Sequence, residues 1–186
     1  MEKNEIRKSI KELKKHLPES DRVVYSERIL EQLYEISEFK KCKRIFCYVS
    51  FNQEVITTSL ITTALKQGKK TAVPKVTQEG LKFFYINSLK DLTPGVLGIL
   101  EPTTIEEAIP DPLDENLIIV PGLAFDEYKN RIGYGKGYYD SFFRQYASCP
   151  LKKIALAYDF QVQKKIPVEE SDIKVDSIIT QYGIIK

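Results

Sequence analysis

The sequence predicts a three-layer α/β domain in which a mostly parallel sheet carries helices on both faces. Short segments rich in β-branched and aromatic residues alternate with helical ones, in the strand–helix–strand order of a parallel crossover unit. The run at 117–120 is wholly apolar, which is typical of a central strand covered on both faces. At 186 residues the chain can bury a full core, and we expect one domain over residues 1–186.

Two helices are predicted at the amino terminus. Apolar residues at helical spacing indicate an amphipathic helix over residues 2–17 that ends at Pro18; they are Ile6, Ile10, Leu13 and Leu17. Ser20 is the predicted N-cap of the second helix. The buried side of that helix is predicted to comprise Val23, Val24, Ile29, Leu30, Leu33 and Ile36.

The remaining elements follow along the chain. Strands are predicted over residues 44–49, 70–73, 82–86, 117–120, 154–158, 177–180 and 183–185, and helices over 57–67 and 138–146. Gly68 is the predicted stop of the 57–67 helix, and the strand at 70–73 is expected to end before Pro74. Residues 91–115 contain four prolines and are predicted to be irregular.

Composition narrows the class of protein. A formal net charge of +2 does not suggest a nucleic-acid binder, and no apolar run is long enough to span a membrane. The three cysteines form no C-x-x-C pair, and no apolar signal segment follows Met1, so we expect free thiols and a cytoplasmic location. His16 is the single histidine, which disfavours multi-histidine zinc sites and histidine-dependent triads.

The most informative segment is the glycine-rich stretch at 130–140. Gly133, Gly135 and Gly137 let the backbone bend and let its N–H groups approach a ligand. A helix opening at Gly137 would add its free N–H groups, and Arg131 and Lys136 would add positive charge, as a phosphate site requires. The segment matches neither of two common nucleotide-binding motifs, Gly-x-Gly-x-x-Gly and Gly-x-x-x-x-Gly-Lys-Ser/Thr. On these residues alone, phosphate binding and a plain turn between strand and helix both stay open.

Several motifs, taken together, resemble the 5-formyltetrahydrofolate cyclo-ligase family, also called methenyltetrahydrofolate synthetases. The resemblance covers nearly the whole chain and depends on the order and spacing of the pieces. They are Lys3 and Arg7, Ser-Phe-Asn-Gln-Glu at 50–54, Val-Pro-Lys at 73–75, Val-Pro-Gly-Leu-Ala-Phe-Asp at 120–126, the stretch from Arg131 to Asp140, Ile-Pro-Val-Glu at 166–169, Asp172, and Val-Asp at 175–176. The family implies a Rossmann-like fold, similar to the sugar-phosphate isomerase and CoA transferase superfamily.

The resemblance also implies a reaction. The family closes the formyl group of 5-formyltetrahydrofolate onto a second nitrogen and yields 5,10-methenyltetrahydrofolate, while ATP becomes ADP and phosphate. A formamide oxygen is a poor leaving group, and phosphorylation of that oxygen makes it a good one. The protein must then align the reacting atoms and neutralise charge on the moving phosphoryl group. Mg²⁺ is expected with ATP, and we expect a monomer.

The same resemblance assigns residues. ATP binding is expected of Lys3, Arg7, Arg131, Gly133, Tyr134, Gly135, Lys136, Gly137, Tyr138 and Tyr139. Arg131 and Lys136 are the expected catalytic residues. Folate contacts are expected of Val49, Phe51, Glu54, Tyr134 and Tyr138, with Glu54 accepting two N–H bonds from the ring edge. Asp140 and Asp176 are the expected Mg²⁺ ligands. Lys75 is expected either to meet the benzoyl or polyglutamate side of folate or merely to end a strand.

Two other functions stay open at this stage. Related α/β folds host sugar-phosphate isomerases and CoA transferases, which would act without ATP. A nucleotide-sensing or folate-storing module would bind both ligands without turnover, although it would need fewer charged loop residues than this chain has.

Overall fold

The computed structural model describes residues 2–95 and 98–186. The described residues form five α-helices along the chain. They are α1 (Lys3–Lys15), α2 (Glu19–Glu35), α3 (Ser37–Lys41), α4 (Thr58–Lys66) and α5 (Tyr138–Gln145).

The strands of these residues belong to three sheets. The main sheet contains β1 (Arg44–Cys47), β2 (Lys70–Thr77), β3 (Gly80–Ile86), β6 (Glu107–Ala108), β7 (Asn116–Val120), β10 (Leu151–Leu156), β12 (Ser177–Thr180) and β13 (Gly183–Ile185). A small sheet contains β8 (Ala124–Asp126), β9 (Arg131–Ile132) and β11 (Val162–Gln163). A hairpin of β4 (Leu92–Pro94) and β5 (Leu100–Pro102) lies within the proline-rich stretch.

The main sheet has the strand order β13-β12-β10-β7-β1-β2-β3-β6. The five strands from β12 to β2 are parallel to one another. The outer pairs β12–β13, β2–β3 and β3–β6 are antiparallel. The sheet is therefore mostly parallel, as predicted, and the carboxyl ends of its central strands meet at one edge.

Alternating side chains of the central strands point to two separate cores. Ile45 and Cys47 belong to the core shared with α2, α3 and α4, whereas Phe46 belongs to the core shared with α5. The same alternation separates Ile119 from Ile118 on β7. Helices therefore cover both faces, and the predicted three layers are confirmed.

Helix α1 covers the small sheet at the carboxyl edge of the main sheet. Ile6 and Ile10 pack there with Leu123, Ile132 and Ile166. The small sheet was not predicted, because strands of two or three residues are too short to show a periodic pattern. Its position brings the amino terminus of the chain to the edge where ligands bind in parallel α/β sheets.

Several predicted details of the first two helices were wrong. Leu13 is 47% exposed, and the side chain buried beside it belongs to Lys14. Helix α2 begins at Glu19 with Pro18 as its N-cap, so Ser20 lies inside the helix. Val23 and Val24 face outward with 38% and 42% exposure. The hydrophobic pattern identified the helices but not the rotation at which they pack.

Pro74 does not end its strand. Strand β2 continues to Thr77 as an antiparallel hairpin with β3, in which Pro74 pairs with Phe83. Pairing with β1 has already ended at Ala72. Proline is tolerated because β2 has a neighbour on only one side at this position.

Candidate active site at the carboxyl edge of the sheet

The glycine-rich segment forms a loop between β9 and α5. Helix α5 begins at Tyr138, and Gly137 is its N-cap with a left-handed φ of 66°, as the sequence predicted. Gly135 has a φ of 103°, a backbone conformation that residues other than glycine rarely adopt. The loop starts next to the small sheet, where the Leu123 N–H donates to the Ile132 carbonyl at 2.8 Å.

The backbone N–H groups of this loop have no acceptor among the described residues. Within the described chain, the N–H groups of residues 133–139 donate to no backbone or side-chain oxygen. Three of them belong to glycines, so no Cβ blocks access to the backbone at those positions. A row of free N–H groups at the start of a helix is a binding site for an anion such as phosphate.

Arg7 reaches this loop from α1. Its Nε donates to the Gly133 carbonyl at 3.0 Å, and a Cβ added to Gly135 would lie 3.6 Å from the Arg7 Cζ. The guanidinium also donates to the Asn4 side chain at 2.6 Å. Arg7 therefore lies against two residues of the loop.

Lys3 lies one turn earlier on α1 and pairs with two carboxylates. Its Nζ is 2.6 Å from Asp172 and 3.0 Å from Glu169. Burial acts to lower the pKa of Lys3, but these hydrogen bonds and charges outweigh it and raise that pKa. Asp172 thus lies beside a predicted ATP residue, although no role was predicted for it. Its position shortly after Ile-Pro-Val-Glu at 166–169, within the resemblance to the family, is the sequence feature that could have identified it.

The side chain of Arg131 is buried rather than presented to the loop opening. It is 4% exposed, and its Nη2 is 2.7 Å from Asp140 Oδ2. Its Nη1 donates to the Pro121 carbonyl at 3.4 Å, and its Nε has no partner within the described residues. A Cβ on Gly133 would lie 2.7 Å from Arg131 Nη1. Arg131 therefore joins α5 to the end of β7. Lys136, in contrast, is exposed.

Glu54 follows β1 on the other side of the loop. Its carboxylate accepts hydrogen bonds from the Phe51 N–H at 2.9 Å and from the Tyr134 hydroxyl at 2.5 Å. Burial raises the pKa of Glu54, and the two hydrogen bonds and Lys14 act in the opposite direction. The structure therefore joins the predicted folate carboxylate directly to the glycine-rich loop.

The other predicted folate contacts differ in exposure. Tyr138 is 37% exposed, whereas Tyr139, which was expected to contact ATP, packs inward against Phe83 and Phe143. Phe51 is half-buried, and Val49 lies in the main core with little surface to offer. Lys75 lies on the β2–β3 hairpin, 3.7 Å from Glu101.

The two predicted metal ligands are not brought together. Asp140 Oδ1 accepts from the Ile173 N–H at 3.0 Å, on the loop side of the molecule. Asp176 instead accepts from the Lys153 N–H at 2.7 Å. It borders a cavity of about 370 Å³ at the amino ends of the parallel strands, next to Asn116 and Leu151. Asp172, the neighbour of Ile173, is the second carboxylate on the Asp140 side.

These features define a class of protein. A parallel sheet with a loop of free N–H groups at its carboxyl edge is typical of α/β proteins that bind a phosphorylated ligand. The particular family follows from sequence comparison: the profile described as the 5-formyltetrahydrofolate cyclo-ligase family matches residues 1–181, and the chain belongs to this family.

Individual relatives agree. The chain is 33% identical to a probable 5-formyltetrahydrofolate cyclo-ligase of Schizosaccharomyces pombe, over 100% of this chain and 98% of that one. It is 30% identical to the 5-formyltetrahydrofolate cyclo-ligase of Mus musculus, over 95% and 92% of the two chains. The NMR structure of Aquifex aeolicus 5,10-methenyltetrahydrofolate synthetase matches with a TM-score of 0.87 and 34% identity, over 100% of this chain and 93% of that one.

A more distant structure supports the fold alone. The 5,10-methenyltetrahydrofolate synthetase of Mycoplasma pneumoniae matches with a TM-score of 0.77 at 22% identity, over 97% of this chain and 99% of that one. The predicted family, and with it a ligase of folate metabolism, is confirmed. Within residues 2–95 and 98–186, no helix combines the length and apolar character needed to cross a bilayer.

Proposed function

We propose that this protein uses Mg-ATP to convert 5-formyltetrahydrofolate to 5,10-methenyltetrahydrofolate, with release of ADP and phosphate. One observation carries the proposal: the hydroxyl of Tyr134, inside the loop of free N–H groups, donates to Glu54 at 2.5 Å. An anion site and a half-buried carboxylate therefore adjoin. That adjacency is what phosphoryl transfer to a folate requires, because the formyl oxygen must meet the γ-phosphorus.

The nucleotide side of the proposal rests on α1 and the loop. The free N–H groups of residues 133–139 would cradle phosphates, and Arg7 would add a guanidinium beside Gly135. Lys136 is exposed on the same loop and would neutralise charge on the transferring phosphoryl group. Arg131 would act through Asp140 and the position of α5, because its own side chain is buried.

Magnesium belongs to the proposal with a changed ligand set. Within the described residues, no group of three or more histidine, cysteine, aspartate or glutamate side chains could hold a metal ion. Mg²⁺ is commonly bound by one or two carboxylates together with phosphate oxygens and water, and two aspartates beside ATP would provide this set of ligands. Asp140, which accepts from the Ile173 N–H, and Asp172, the residue before Ile173, would hold the ion together with ATP. The ion would screen the phosphates and stabilise charge during transfer.

The folate side rests on Glu54. A carboxylate can accept two N–H bonds from the aminopyrimidinone edge of a pteridine. The Tyr134 hydroxyl now occupies one of its oxygens, so a bound ring would replace or share that hydrogen bond. Tyr138 and Phe51 offer partly exposed aromatic surface to the flat ring.

The proposed enzyme acts as a monomer in the cytoplasm. The proposed site is formed by α1, the segment after β1 and the glycine-rich loop of the same chain. Cys42, Cys47 and Cys149 are free, with Cys42 and Cys47 buried, which suits a reducing compartment.

The test is a product assay with each component omitted in turn. Absorbance of methenyltetrahydrofolate should grow only when enzyme, Mg²⁺, ATP and 5-formyltetrahydrofolate are all present. One ADP should appear for each product molecule. Folded protein that binds both ligands without releasing ADP would favour a storage role. Activity without ATP would favour an isomerase or transferase.

A further inference from the structure

Lys14 occupies a position on α1 where a hydrophobic residue is expected. The buried stripe of this helix consists of Ile6, Ile10 and Lys14, which follow one another at intervals of four residues. Lys14 is 6% exposed, while its neighbour Leu13 is 47% exposed. A lysine is rarely this buried unless it is paired. Packing alone therefore does not explain why the lysine faces inward.

The surroundings of Lys14 lead to the folate side of the site. Its Nζ lies 6.0 Å from the ring centroid of Tyr158, and the Tyr158 hydroxyl donates to the Glu54 carbonyl at 3.1 Å. The negative charge of the Glu54 carboxylate acts to raise the pKa of Lys14, against the effect of burial. Arg22 also contacts the segment after β1, where it donates to the Asn52 carbonyl at 3.0 Å.

Among the described residues, the ammonium of Lys14 is unpaired. Its Nζ forms no hydrogen bond or ion pair with them, although Lys3 and Arg7 on the same helix both do. The stem of Lys14 is buried, while its Nζ keeps some exposed surface. This cation is therefore available to a ligand.

The spacing along α1 matches the two halves of the site. Lys14 lies seven residues after Arg7, which is about two turns and roughly 10 Å along the helix. Arg7 contacts the glycine-rich loop, and Lys14 lies by Tyr158, whose hydroxyl donates to the Glu54 carbonyl. The single helix α1 thus places one cation, Arg7, in the nucleotide half of the site and a second cation, Lys14, in the folate half.

We propose that Lys14 donates a hydrogen bond to the ring carbonyl of the folate. This carbonyl lies next to the ring N–H groups from which Glu54 accepts hydrogen bonds. This inference rests on the proposed function. The aminopyrimidinone edge presents donors followed by one carbonyl acceptor, so a carboxylate satisfies the donors and a cation satisfies the acceptor. An ammonium cannot accept a hydrogen bond, so Lys14 selects a carbonyl over an amino group at that ring position.

The test compares Lys14→Met with Lys11→Met, an exposed lysine of the same helix. Binding of 5-formyltetrahydrofolate is measured by calorimetry without nucleotide, beside the analogue whose ring carbonyl is replaced by an amino group. Lys14→Met should weaken binding of the natural ring roughly 10- to 100-fold and reduce its preference over the analogue, because one charge-assisted hydrogen bond is lost. Lys11→Met should bind like the unmodified protein.

Two further measurements keep the outcomes distinct. Lys14→Gln retains a donor, so it should keep part of the preference for the carbonyl, and this variant covers the case in which Lys14→Met does not fold. If Lys14→Met binds the natural ring as well as the unmodified protein, or keeps the same preference over the analogue, the inference is overturned. Failure of the unmodified protein to bind folate would instead overturn the proposed function.

Discussion

The Tyr134 hydroxyl donates to the Glu54 carboxylate at 2.5 Å, across 80 residues of sequence. Tyr134 belongs to the glycine-rich loop, and Glu54 belongs to the segment after β1. The contact links the two halves of the proposed active site. It also restrains Glu54, because the same carboxylate accepts from the Phe51 N–H on its other oxygen.

Removing the Tyr134 hydroxyl should shift the pH dependence of folate binding. Burial raises the pKa of Glu54, and the Tyr134 hydrogen bond opposes that rise. Tyr134→Phe should therefore raise the pKa further, so the ionised form is lost at a higher pH as the pH falls. The acid limb of kcat/KM for folate should move to higher pH, whereas Tyr138→Phe should leave it in place. An unmoved limb in Tyr134→Phe would show that Glu54 does not control it.

Replacing the Glu54 charge should affect folate much more than ATP. Glu54→Gln keeps the shape but loses charge-assisted hydrogen bonds of about 1.5–3 kcal/mol, so the KM for folate should rise roughly 10- to 100-fold. The KM for Mg-ATP should stay within about twofold. Steady-state kinetics with each substrate varied in turn separates the two. A larger change for ATP would place Glu54 on the nucleotide side.

Lys136 is expected to act in the transition state. Lys136→Ala should lower kcat by about 100-fold with a smaller change in ATP affinity, because the side chain meets charge that develops during transfer. Lys66→Ala removes an exposed lysine at the end of α4, before the amino end of β2, and is the matched control. Equal losses in kcat and in ATP binding would indicate contact with the ground state only.

Arg131 is expected to stabilise the fold. Its buried ion pair with Asp140 is 2.7 Å long, and Arg131→Ala leaves that carboxylate without its partner. The free energy of unfolding should fall by about 3–5 kcal/mol, measured by urea denaturation. The exposed Arg28 is the control, and Arg28→Ala should change it by less than about 0.5 kcal/mol. An Arg131→Ala protein of unchanged stability would contradict the structural role.

Lys14 should make stability depend on alkaline pH. Burial lowers the pKa of Lys14 from 10.5 to about 8, although Glu54 acts to raise it. Between these values the unfolded chain binds a proton that the folded chain does not, so stability rises with pH in that window. Lys14→Met should lack this rise and be more stable than the unmodified protein at pH 7. Urea denaturation at pH 7 and pH 10 tests both statements, and parallel curves for the two proteins would disprove the burial effect.

Periodic patterns made most of the fold predictable. The apolar run at β7, the crossover order and the glycine N-cap at Gly137 are local properties of the chain, because backbone sterics and hydrophobic spacing act over a few residues. The small sheet of β8, β9 and β11 was missed for the converse reason. Its strands are two or three residues long and exist because α1 packs on them.

The family, the mostly parallel sheet and the loop of closely spaced glycines are all evident from the order of the amino acids. The buried charges and the contacts between distant residues became known from the folded chain. Arg131 and Lys14 turn inward while Leu13 turns outward, and Asp172 rather than Asp176 lies on the Asp140 side. These differences arise because the burial and pairing of a charge depend on the packing of separate elements. No pattern within one helix or loop records that packing.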